Sequence, residues 1–560
     1  MPKIEISFQD LCTLVGKQLP KEGLADTMMY AKVEMDEIKG DIIKADCKDT
    51  NRPDLWCTEG IAREIKARFG KKSIAYKISK GKNNVIIDTK SPVQPFAVGM
   101  IVKNIKLNNN SLSQMIQLQD KLAAVLGAGR RNMSIGVYDL DKIKFPIKYT
   151  SLHSTEIKFV PLNFQKEMYA EEIMLMHPKG KEFGHILDGT DIYPVWIDAN
   201  KKILSMVPVI NSNDAGSVSS QTKNLFVECT GNDLSLLKVT INALAAQMLD
   251  REGSVESIVN VYGKTKVVTP ELIPKKFSAS LDYLRAISGM KLTDKKIVTL
   301  LEKSNYIVKS KNKTIELSYP GYRNDIMHPR DVAEDMMITY GYNKIPPVEI
   351  KFGSMGRLDE LEEFCDKLAD IVVGAGFQEI LSYTLTNKNS LFQKMNFDPQ
   401  DAAEIENPAS ANWSVFRNSL LPGLLEFFAL NKHVEYPQKI FEIGKCIFLS
   451  DGETRSKDVK HIALGISSSD VNYDLIASNI DAVIRNLGLK CQLKKLSHPS
   501  FIEGRCAEIL ISEPTPKASN SPKRYGLLGE IHPQVLNNWN LEKPVLIAEL
   551  NATELFYLLE

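Results

Sequence analysis

A loop that turns into a helix is predicted by one run of the sequence: Tyr322-Arg323-Asn324-Asp325-Ile326-Met327-His328-Pro329-Arg330-Asp331-Val332-Ala333-Glu334-Asp335. Pro329 suits the first helical position, and Gly341 suits the residue just beyond the last turn. At about 100° per residue, Asp331, Glu334 and Asp335 share one side of this helix. Helical and strand-like patterns alternate on both sides of the run, so the sequence predicts an α+β chain.

The acids of this run allow two interpretations. They are Asp325, Asp331, Glu334 and Asp335. In the first interpretation they form a solvated helix face with Arg323 or Arg330 as ion-pair partners, since acids suit a helix N-terminus. In the second they hold a hard cation, because Mg²⁺ binds one or two carboxylates together with waters and other oxygens. Residue spacing leaves both open and favours the first.

Length and composition limit the class of protein. The chain has 560 residues, which predicts several domains. It has 70 Lys and Arg against 69 Asp and Glu, so its formal net charge is +1. This balance argues against a nucleic-acid coat protein but allows contact with RNA over one local surface. The sequence has no apolar run of membrane-spanning length, so we expect no membrane span. We further expect a cytoplasmic protein that does not bind DNA.

Motifs for metal or nucleotide binding are weak elsewhere. The eight cysteines are scattered and form no Cys-x-x-Cys pair, which argues against a zinc ribbon and fits free thiols in a reducing compartment. Gly127-Ala128-Gly129 and Gly374-Ala375-Gly376 are predicted to end helices, whereas a phosphate-binding loop begins one. Near the start, Asn51 is predicted to cap a helix that has Pro53 in its first turn. A strand is predicted over residues 379–385.

Seven segments, in order, carry a resemblance to one family: Asp49–Trp56, Glu59–Glu64, Arg323–Asp335, Tyr340–Tyr342, Phe416–Leu425, Phe441–Gly444 and His498–Arg505. Over essentially its whole length the chain resembles the beta subunits of phenylalanine–tRNA ligase, in their archaeal and eukaryotic-type form. The resemblance implies a class II aminoacyl-tRNA synthetase assembled from two alpha and two beta subunits. The alpha subunit is then expected to carry the synthetic site, with ATP as substrate of the complex and tRNA(Phe) as partner.

Four domains are implied by this resemblance: an N-terminal α+β domain (1–88), a mixed, sheet-rich editing and tRNA-binding domain (89–268), a small α/β domain with the acidic magnesium site (269–347), and a catalytic-like domain with an antiparallel sheet (348–560). The last domain is expected not to catalyse. Ser419 stands where class II chemistry needs an acid after Phe416-Arg417-Asn418, and Gly526–Pro533 lacks a closing arginine. No residue is therefore assigned to aminoacylation, and Arg417 and Arg505 are interpreted as structural or interface residues.

The resemblance changes the interpretation of the acidic run. In the family, four acids with these spacings bind Mg²⁺ at a site shared with the alpha subunit. The residues that match are Asp325, Asp331, Glu334 and Asp335. The metal interpretation is therefore preferred.

An editing site is also implied in the second domain. A pocket for a phenyl ring rejects a substrate that adds a hydroxyl by only about a hundredfold, so a second site is needed to hydrolyse Tyr-tRNA. The candidates are Gln119, Asn211 and Glu228 for the amino acid's polar groups and Arg131 for the tRNA end, with a positioned water as nucleophile. For each of them, loop capping or a surface ion pair is equally compatible with the sequence.

Two other functions remain open at this stage. One is a purely structural or tRNA-binding subunit without editing activity. The other is a freestanding magnesium-dependent nuclease or phosphoesterase built on the acidic run. The second predicts activity of the isolated chain and none of the synthetase-like motifs.

Overall fold

A computed structural model describes residues 2–71, 75–350, 353–512 and 523–559. The chain divides into two compact units, Met1–Glu349 and Ile350–Glu560. Both are built from sheets with packed helices, which confirms the predicted mixed α+β, sheet-rich, multidomain class. The finer division into four domains stays a prediction. Among the described residues, no helix has the length and apolarity needed to span a membrane.

The first unit begins with a three-stranded sheet in the order β1-β3-β2, packed against helices. Its elements are β1 (Lys3–Ser7), α1 (Phe8–Val15), α2 (Leu24–Met29), β2 (Val33–Lys39), β3 (Ile42–Cys47) and α3 (Thr58–Arg68). The predicted Asn51 cap is wrong: α3 is capped by Cys57, whose Sγ accepts from the Gly60 amide. A separate 3₁₀ turn, Pro53–Leu55, comes first and packs on the helix start, where a Cβ at Gly60 would lie 1.7 Å from the Asp54 carbonyl oxygen.

A ten-stranded mixed sheet forms the centre of the first unit. Its elements, together with the small β8–β9 ribbon, are β4 (Ser79–Asp88), β5 (Phe96–Lys103), α4 (Asn109–Val125), β6 (Met133–Asp139), β7 (Ile147–His153), β8 (Lys158–Phe159), β9 (Met168–Tyr169), α5 (Ala170–Met176), α6 (Pro178–Phe183), β10 (Ile192–Ile197), β11 (Ile203–Met206), β12 (Ile210–Asn211), α7 (Asn213–Gly216), β13 (Leu225–Gly231), α8 (Leu234–Asp250), β14 (Ser254–Tyr262) and β15 (Thr265–Thr269). The strand order is β12-β11-β10-β7-β4-β14-β5-β13-β6, and β15 pairs with β14.

The two faces of this sheet differ. One face packs against α4 and α8 through aliphatic side chains such as Val227 and Leu118. The opposite face has an aromatic core that includes Tyr138, Trp196 and Phe226. Because side chains alternate along a strand, β13 directs Val227 to the first face and its neighbours Phe226 and Glu228 to the second. This alternation places Glu228 on the aromatic face.

A small sheet and three helices end the first unit. The elements are β16 (Lys275–Ser280), α9 (Leu281–Ser288), α10 (Asp294–Glu302), β17 (Ile307–Lys311), β18 (Thr314–Tyr319) and α11 (Pro329–Tyr340). The antiparallel order is β16-β18-β17. Helix α11 confirms the prediction from sequence: it begins at Pro329 after a His328 cap and ends at Gly341, whose φ is 97°.

The second unit contains a seven-stranded sheet in the order β19-β22-β23-β27-β26-β25-β24, antiparallel except at β19. Its elements are α12 (Glu360–Gly374), β19 (Gln378–Glu379), β20 (Leu385–Thr386), α13 (Lys388–Leu391), β21 (Val415–Phe416), α14 (Leu421–Leu430), β22 (Gln438–Leu449), β23 (Ser456–Ser467), α15 (Tyr473–Asn486), β24 (Lys490–Lys495), β25 (Phe501–Ser512), β26 (Lys523–Ile531), α16 (Pro533–Asn538), β27 (Val545–Asn551) and α17 (Ala552–Leu559). The predicted strand over 379–385 is wrong, because the Ser382 amide donates to the Glu442 carboxylate instead of to a strand neighbour.

Candidate functional sites

The acids of the predicted magnesium site have different local roles. Asp331 caps its own helix: its Oδ2 accepts hydrogen bonds from the Met327 and His328 amides at 2.8 and 2.6 Å. This geometry follows from its place in the first turn of α11, where backbone N–H groups lack helical partners. Glu334 lies one turn later, and 47% of its side chain is exposed. These two acids form the outer pair of the run.

Asp325 and Asp335 form a buried pair on one guanidinium. Arg323 binds Asp325 through Nε at 3.0 Å and also through Nη2, and its Nη1 donates to Asp335 Oδ2 at 2.7 Å. Tyr306 donates to the same Asp335 oxygen at 2.7 Å. Burial opposes ionisation of both acids, but Arg323, Lys32 and Arg52 together outweigh it, so the pKa of each acid is lowered. Both carboxylates are therefore ionised counterions of Arg323.

Further cations reach the acids from the N-terminal part of the unit. Lys32 lies before β2, and its Nζ is 3.0 Å from Glu334 Oε2 and 3.9 Å from Asp335 Oδ1. Arg52 precedes α3, and its Nε is 3.8 Å from Asp325 Oδ1. Protein cations thus balance these three carboxylates in the folded chain.

The predicted magnesium ligands do not converge on one point. Within the part of the chain that the structure describes, the only three potential ligand atoms lying within 4.8 Å of one another belong to Cys446, His461 and Glu549. Arg323 occupies the space between Asp325 and Asp335 that a shared cation would need. The four acids therefore do not fit a single magnesium shell made by this chain alone. The assignment stays a prediction, and Asp331 and Glu334 are the two acids of the run that are not buried.

Glu228, the central editing candidate, lies in the middle of the large sheet. Its register partners on the two neighbouring strands are both glycines, Gly99 on β5 and Gly136 on β6. A Cβ at Gly136 would lie 2.3 Å from Glu228 Oε1 and 2.5 Å from the Tyr138 hydroxyl. Because Gly136 has no side chain, the Glu228 carboxyl group can occupy the space beside it. Glu228 is only 2% exposed.

The environment of Glu228 favours its neutral form. Burial raises its pKa to about 8, against smaller lowering effects of Tyr138 and Trp196. The Tyr138 hydroxyl is 3.2 Å from Oε1 and donates to it. Among the described residues, neither Glu228 Oε2 nor Trp196 Nε1 has a hydrogen bond of normal geometry. A buried carboxyl group with one unpartnered oxygen is unusual, because nearly all buried polar atoms in proteins are hydrogen-bonded.

Tyr138 joins Glu228 to a second candidate, Asn211. Its hydroxyl is 3.4 Å from Asn211 Oδ1 and 2.9 Å from the Ser205 hydroxyl. Gly216 packs against Asn211, since a Cβ there would lie 2.6 Å from the Asn211 Cβ. The structure therefore brings Asn211 and Glu228 into one hydrogen-bonded group.

Gln119 and Arg131 are not part of this group. Gln119 is half-buried on α4, and Arg131 is exposed after that helix. The neighbouring Arg130 instead reaches across: its Nη1 donates to the Pro208 and Val209 carbonyls, both at 3.0 Å. Sequence reasoning did not single out Tyr138 or Trp196, and it gave Arg130 no contact of its own. The available sequence signal for Tyr138 was its spacing: it lies two residues after Gly136 on β6, so the two residues share one face of the strand.

Two family models and several known proteins match the sequence of this chain. The family described as "tRNA synthetase B5 domain" matches residues 277–342, and "Phenylalanyl tRNA synthetase beta chain CLM domain" matches residues 345–552. A phenylalanine–tRNA ligase beta subunit of Thermococcus sibiricus is 40% identical over 558 residues, which are 98% of each chain. The chain belongs to the phenylalanine–tRNA ligase beta-subunit family. A beta subunit of Pyrococcus horikoshii is also 40% identical, over 99% of this chain and 100% of its own.

A solved structure supports the fold of the first part of this family member. It is the N-terminal fragment of the Pyrococcus horikoshii phenylalanyl-tRNA synthetase beta subunit. It is 42% identical, covers 61% of this chain and 100% of the fragment, and has a TM-score of 0.59.

In this phenylalanine–tRNA ligase family member, the two C-terminal arginines singled out from the sequence are engaged within the chain. Arg417 Nη1 lies 2.7 Å from Glu442 Oε1, and Arg417 Nε donates to the Lys445 carbonyl at 2.9 Å. A Cβ at Gly444 would lie 2.2 Å from Arg417 Nη2. Arg505 pairs with Glu530 at 2.6 Å. These contacts agree with the structural interpretation of both arginines.

Proposed function

We propose that the chain is the beta subunit of a cytoplasmic phenylalanine–tRNA ligase. It assembles with alpha subunits as two alpha and two beta chains, contributes to binding of tRNA(Phe), and supports ATP-dependent attachment of phenylalanine by the alpha subunit. The observation that carries this proposal is 40% identity over 98% of the chain to a protein of that name. Copurification of the chain with a class II alpha subunit, with aminoacylation only by the mixture, is the direct test.

The beta subunit also removes tyrosine from mischarged Tyr-tRNA(Phe) in this proposal. Its support is Glu228, a buried carboxyl group with an unpartnered oxygen beside Tyr138. A site that hydrogen-bonds a phenol hydroxyl discriminates strongly against phenylalanine, since buried polar groups would then stay unpaired. Asn211 lies in the same hydrogen-bonded group and suits the other polar atoms of the amino acid. Gln119 and Arg131 keep their proposed roles toward the amino acid and the tRNA end.

Hydrolysis by this site needs a positioned water rather than a covalent intermediate. Glu228, Asn211 and Tyr138 bind and orient through hydrogen bonds, and none of them is paired with a serine–histidine or cysteine–histidine couple. Holding an ester near a bound water converts a bimolecular reaction into an effectively unimolecular one. The residues of the group therefore act by orienting the substrate.

Deacylation of purified Tyr-tRNA(Phe) by the assembled complex tests the editing proposal. Asn211→Ala and Glu228→Ala should slow deacylation and leave phenylalanine attachment unchanged. Unchanged deacylation in both variants would favour a purely structural or tRNA-binding subunit. Phosphodiester hydrolysis by the isolated chain would instead support the magnesium-dependent nuclease alternative.

A magnesium ion at the interface with the alpha subunit is proposed for the outer pair of acids. Asp331 and Glu334 are not buried, whereas Asp325 and Asp335 are bound to Arg323. Neutralising the outer pair together, as Asp331→Asn with Glu334→Gln, should weaken alpha–beta assembly or its dependence on Mg²⁺. Assembly can be followed by analytical ultracentrifugation across a Mg²⁺ titration. Identical assembly of variant and parent at every Mg²⁺ concentration would contradict the proposal.

A further inference from the structure

A groove of about 670 Å³ in the first unit has a positively charged lining. It lies where the start of β4, α8, β15 and the segment after β15 meet. Side chains at its surface include Lys77, Lys80, Lys238, Lys266, Val268 and Ile273. It is separate from the acidic run and from the Glu228 group, since its lining includes none of those residues.

The lysines of this groove have no ion-pair partner among the described residues. All four are exposed, and none forms an ion pair with another residue in the described ranges. Glu271 is the only acid among the residues that line the groove. The whole chain is nearly neutral, with a net charge of +1, so this excess of positive charge is a local feature. Unpaired ammonium groups around a concave surface attract a polyanion.

The kind of polyanion follows from the shape and the residue types. A concave groove accommodates a strand of limited width better than the plane of a bilayer. Lysine ammonium groups act as point charges that suit phosphate oxygens, whereas arginine would add bidentate recognition of base edges. The lining of the groove contains no arginine. Contacts of this type position a nucleic acid without reading its sequence.

We propose that this lysine groove binds the sugar–phosphate backbone of RNA, with tRNA as the RNA bound. The inference rests on the proposed role in tRNA binding and names the surface responsible for it. Each phosphate neutralised by a lysine releases condensed counterions, so the contribution of the groove depends on salt and not on base sequence. The net charge of +1 is compatible with RNA binding over one local surface, and the groove is that surface.

The experiment compares two fourfold alanine variants of the full-length chain. The groove variant replaces Lys77, Lys80, Lys238 and Lys266. The control variant replaces Lys309, Lys311, Lys490 and Lys494, which are exposed lysines outside the groove. Both variants remove the same charge, so a difference between them reports the location of the lysines. Affinity for a fluorescent tRNA(Phe) transcript is measured by anisotropy at several salt concentrations, and circular dichroism checks folding.

The groove variant should bind tRNA about tenfold more weakly at about 0.1 M salt, and the magnitude of the slope of log K against log salt should fall by about 3. The control variant should stay within about twofold of the parent. A second RNA of unrelated sequence should show the same loss. Single replacements of the four lysines, each with a smaller loss of the same sign, should account for the combined effect.

Other outcomes would overturn the inference in distinguishable ways. Equal affinities and salt slopes of the two fourfold variants would eliminate the groove while leaving tRNA binding elsewhere on the chain. Failure of the parent chain to bind tRNA at low salt, alone and with its alpha subunit, would count against the proposed function itself. The groove variant can also be tested with vesicles of phosphatidylserine and phosphatidylcholine. If it loses vesicle binding to the same extent as tRNA binding, the groove binds anionic surfaces in general.

Discussion

Arg323 donates a hydrogen bond of 2.7 Å from Nη1 to Oδ2 of Asp335, and both side chains are buried. The same guanidinium binds Asp325, which lies two residues further along the chain. A cation supplied by the protein therefore stands between two acids that sequence similarity assigns to a metal. The contribution of this arginine to folding can be measured directly.

Replacing Arg323 with methionine should destabilise the chain strongly. The change leaves Asp325 and Asp335 as buried carboxylates without this partner, and breaking a buried ion pair costs about 3 to 5 kcal/mol. The matched control is Arg330→Met, because Arg330 is exposed and has no ion pair among the described residues. The control should change the free energy of unfolding by less than about 0.5 kcal/mol. Urea denaturation followed by circular dichroism gives both values, and equal effects would show that Arg323 is not needed as a counterion.

Glu228 should make the stability of the chain depend on pH in the neutral range. Burial raises its pKa from 4.5 to about 8, so the folded state holds a proton that the unfolded state releases. The stabilising contribution is complete below pH 4.5 and is lost as the pH rises toward 8. Across this window the effect on the free energy of unfolding is about 5 kcal/mol at most.

The comparison for this prediction is Glu228→Gln, which keeps the shape and removes the titration. The difference in unfolding free energy between parent and variant should shift in favour of the variant as the pH rises from 4.5 to 8. Denaturation at several pH values measures this difference. A difference that does not change with pH would mean that Glu228 is ionised throughout.

Gly136→Ala should displace the pair formed by Glu228 and Tyr138. The added Cβ would meet Glu228 Oε1 at 2.3 Å and the Tyr138 hydroxyl at 2.5 Å. Overpacking of this kind costs about 1 to 3 kcal/mol, and deacylation of Tyr-tRNA should slow with it. The control is Gly374→Ala, because a Cβ at Gly374 meets no atom within 4 Å and its φ is ordinary for a helix. A fully active, fully stable Gly136→Ala variant would contradict the close packing around Glu228.

Arg417→Met should destabilise the second unit more than Arg505→Met. Arg417 pairs with Glu442, of which only 1% of the side chain is exposed, so its loss leaves a buried charge and costs about 3 to 5 kcal/mol. Arg505 is 56% exposed, although its partner Glu530 is only 10% exposed, so water can replace the guanidinium and the loss should be about 1 kcal/mol. Thermal unfolding of the two variants gives the order. The reverse order would mean that the Arg417 contact is not structural.

Local signals in the sequence were sufficient for the start and end of α11. Pro329 and Gly341 mark the ends of α11 because their backbone preferences act within a few residues. The Asn51 cap failed, since a 3₁₀ turn intervenes and Cys57 takes the capping role. The strand over 379–385 failed because its backbone amide at Ser382 is bound by a side chain 60 residues away. The contact at Ser382 has no local signal, because its partner is distant in the sequence.

The candidate sites were predictable as sets of residues but not as geometries. Glu228 and Asn211 were named from the sequence, whereas Tyr138, which joins them, was not. Gln119 and Arg131 follow from the same resemblance, yet neither contacts that group. Residue type and order specify which side chains are available, and strand pairing specifies which of them meet.

By itself, the sequence determined the family, the mixed α+β class and the start and end of the helix that holds three of the four acids. These properties depend on residue type, order and local backbone preference. Only the tertiary structure decided that Asp335 is a buried counterion while Glu334, its neighbour in the chain, is exposed. The reason is physical: helix geometry places these acids on one side of α11, but that side extends from packed to open surroundings, and only packing decides which acid meets Arg323.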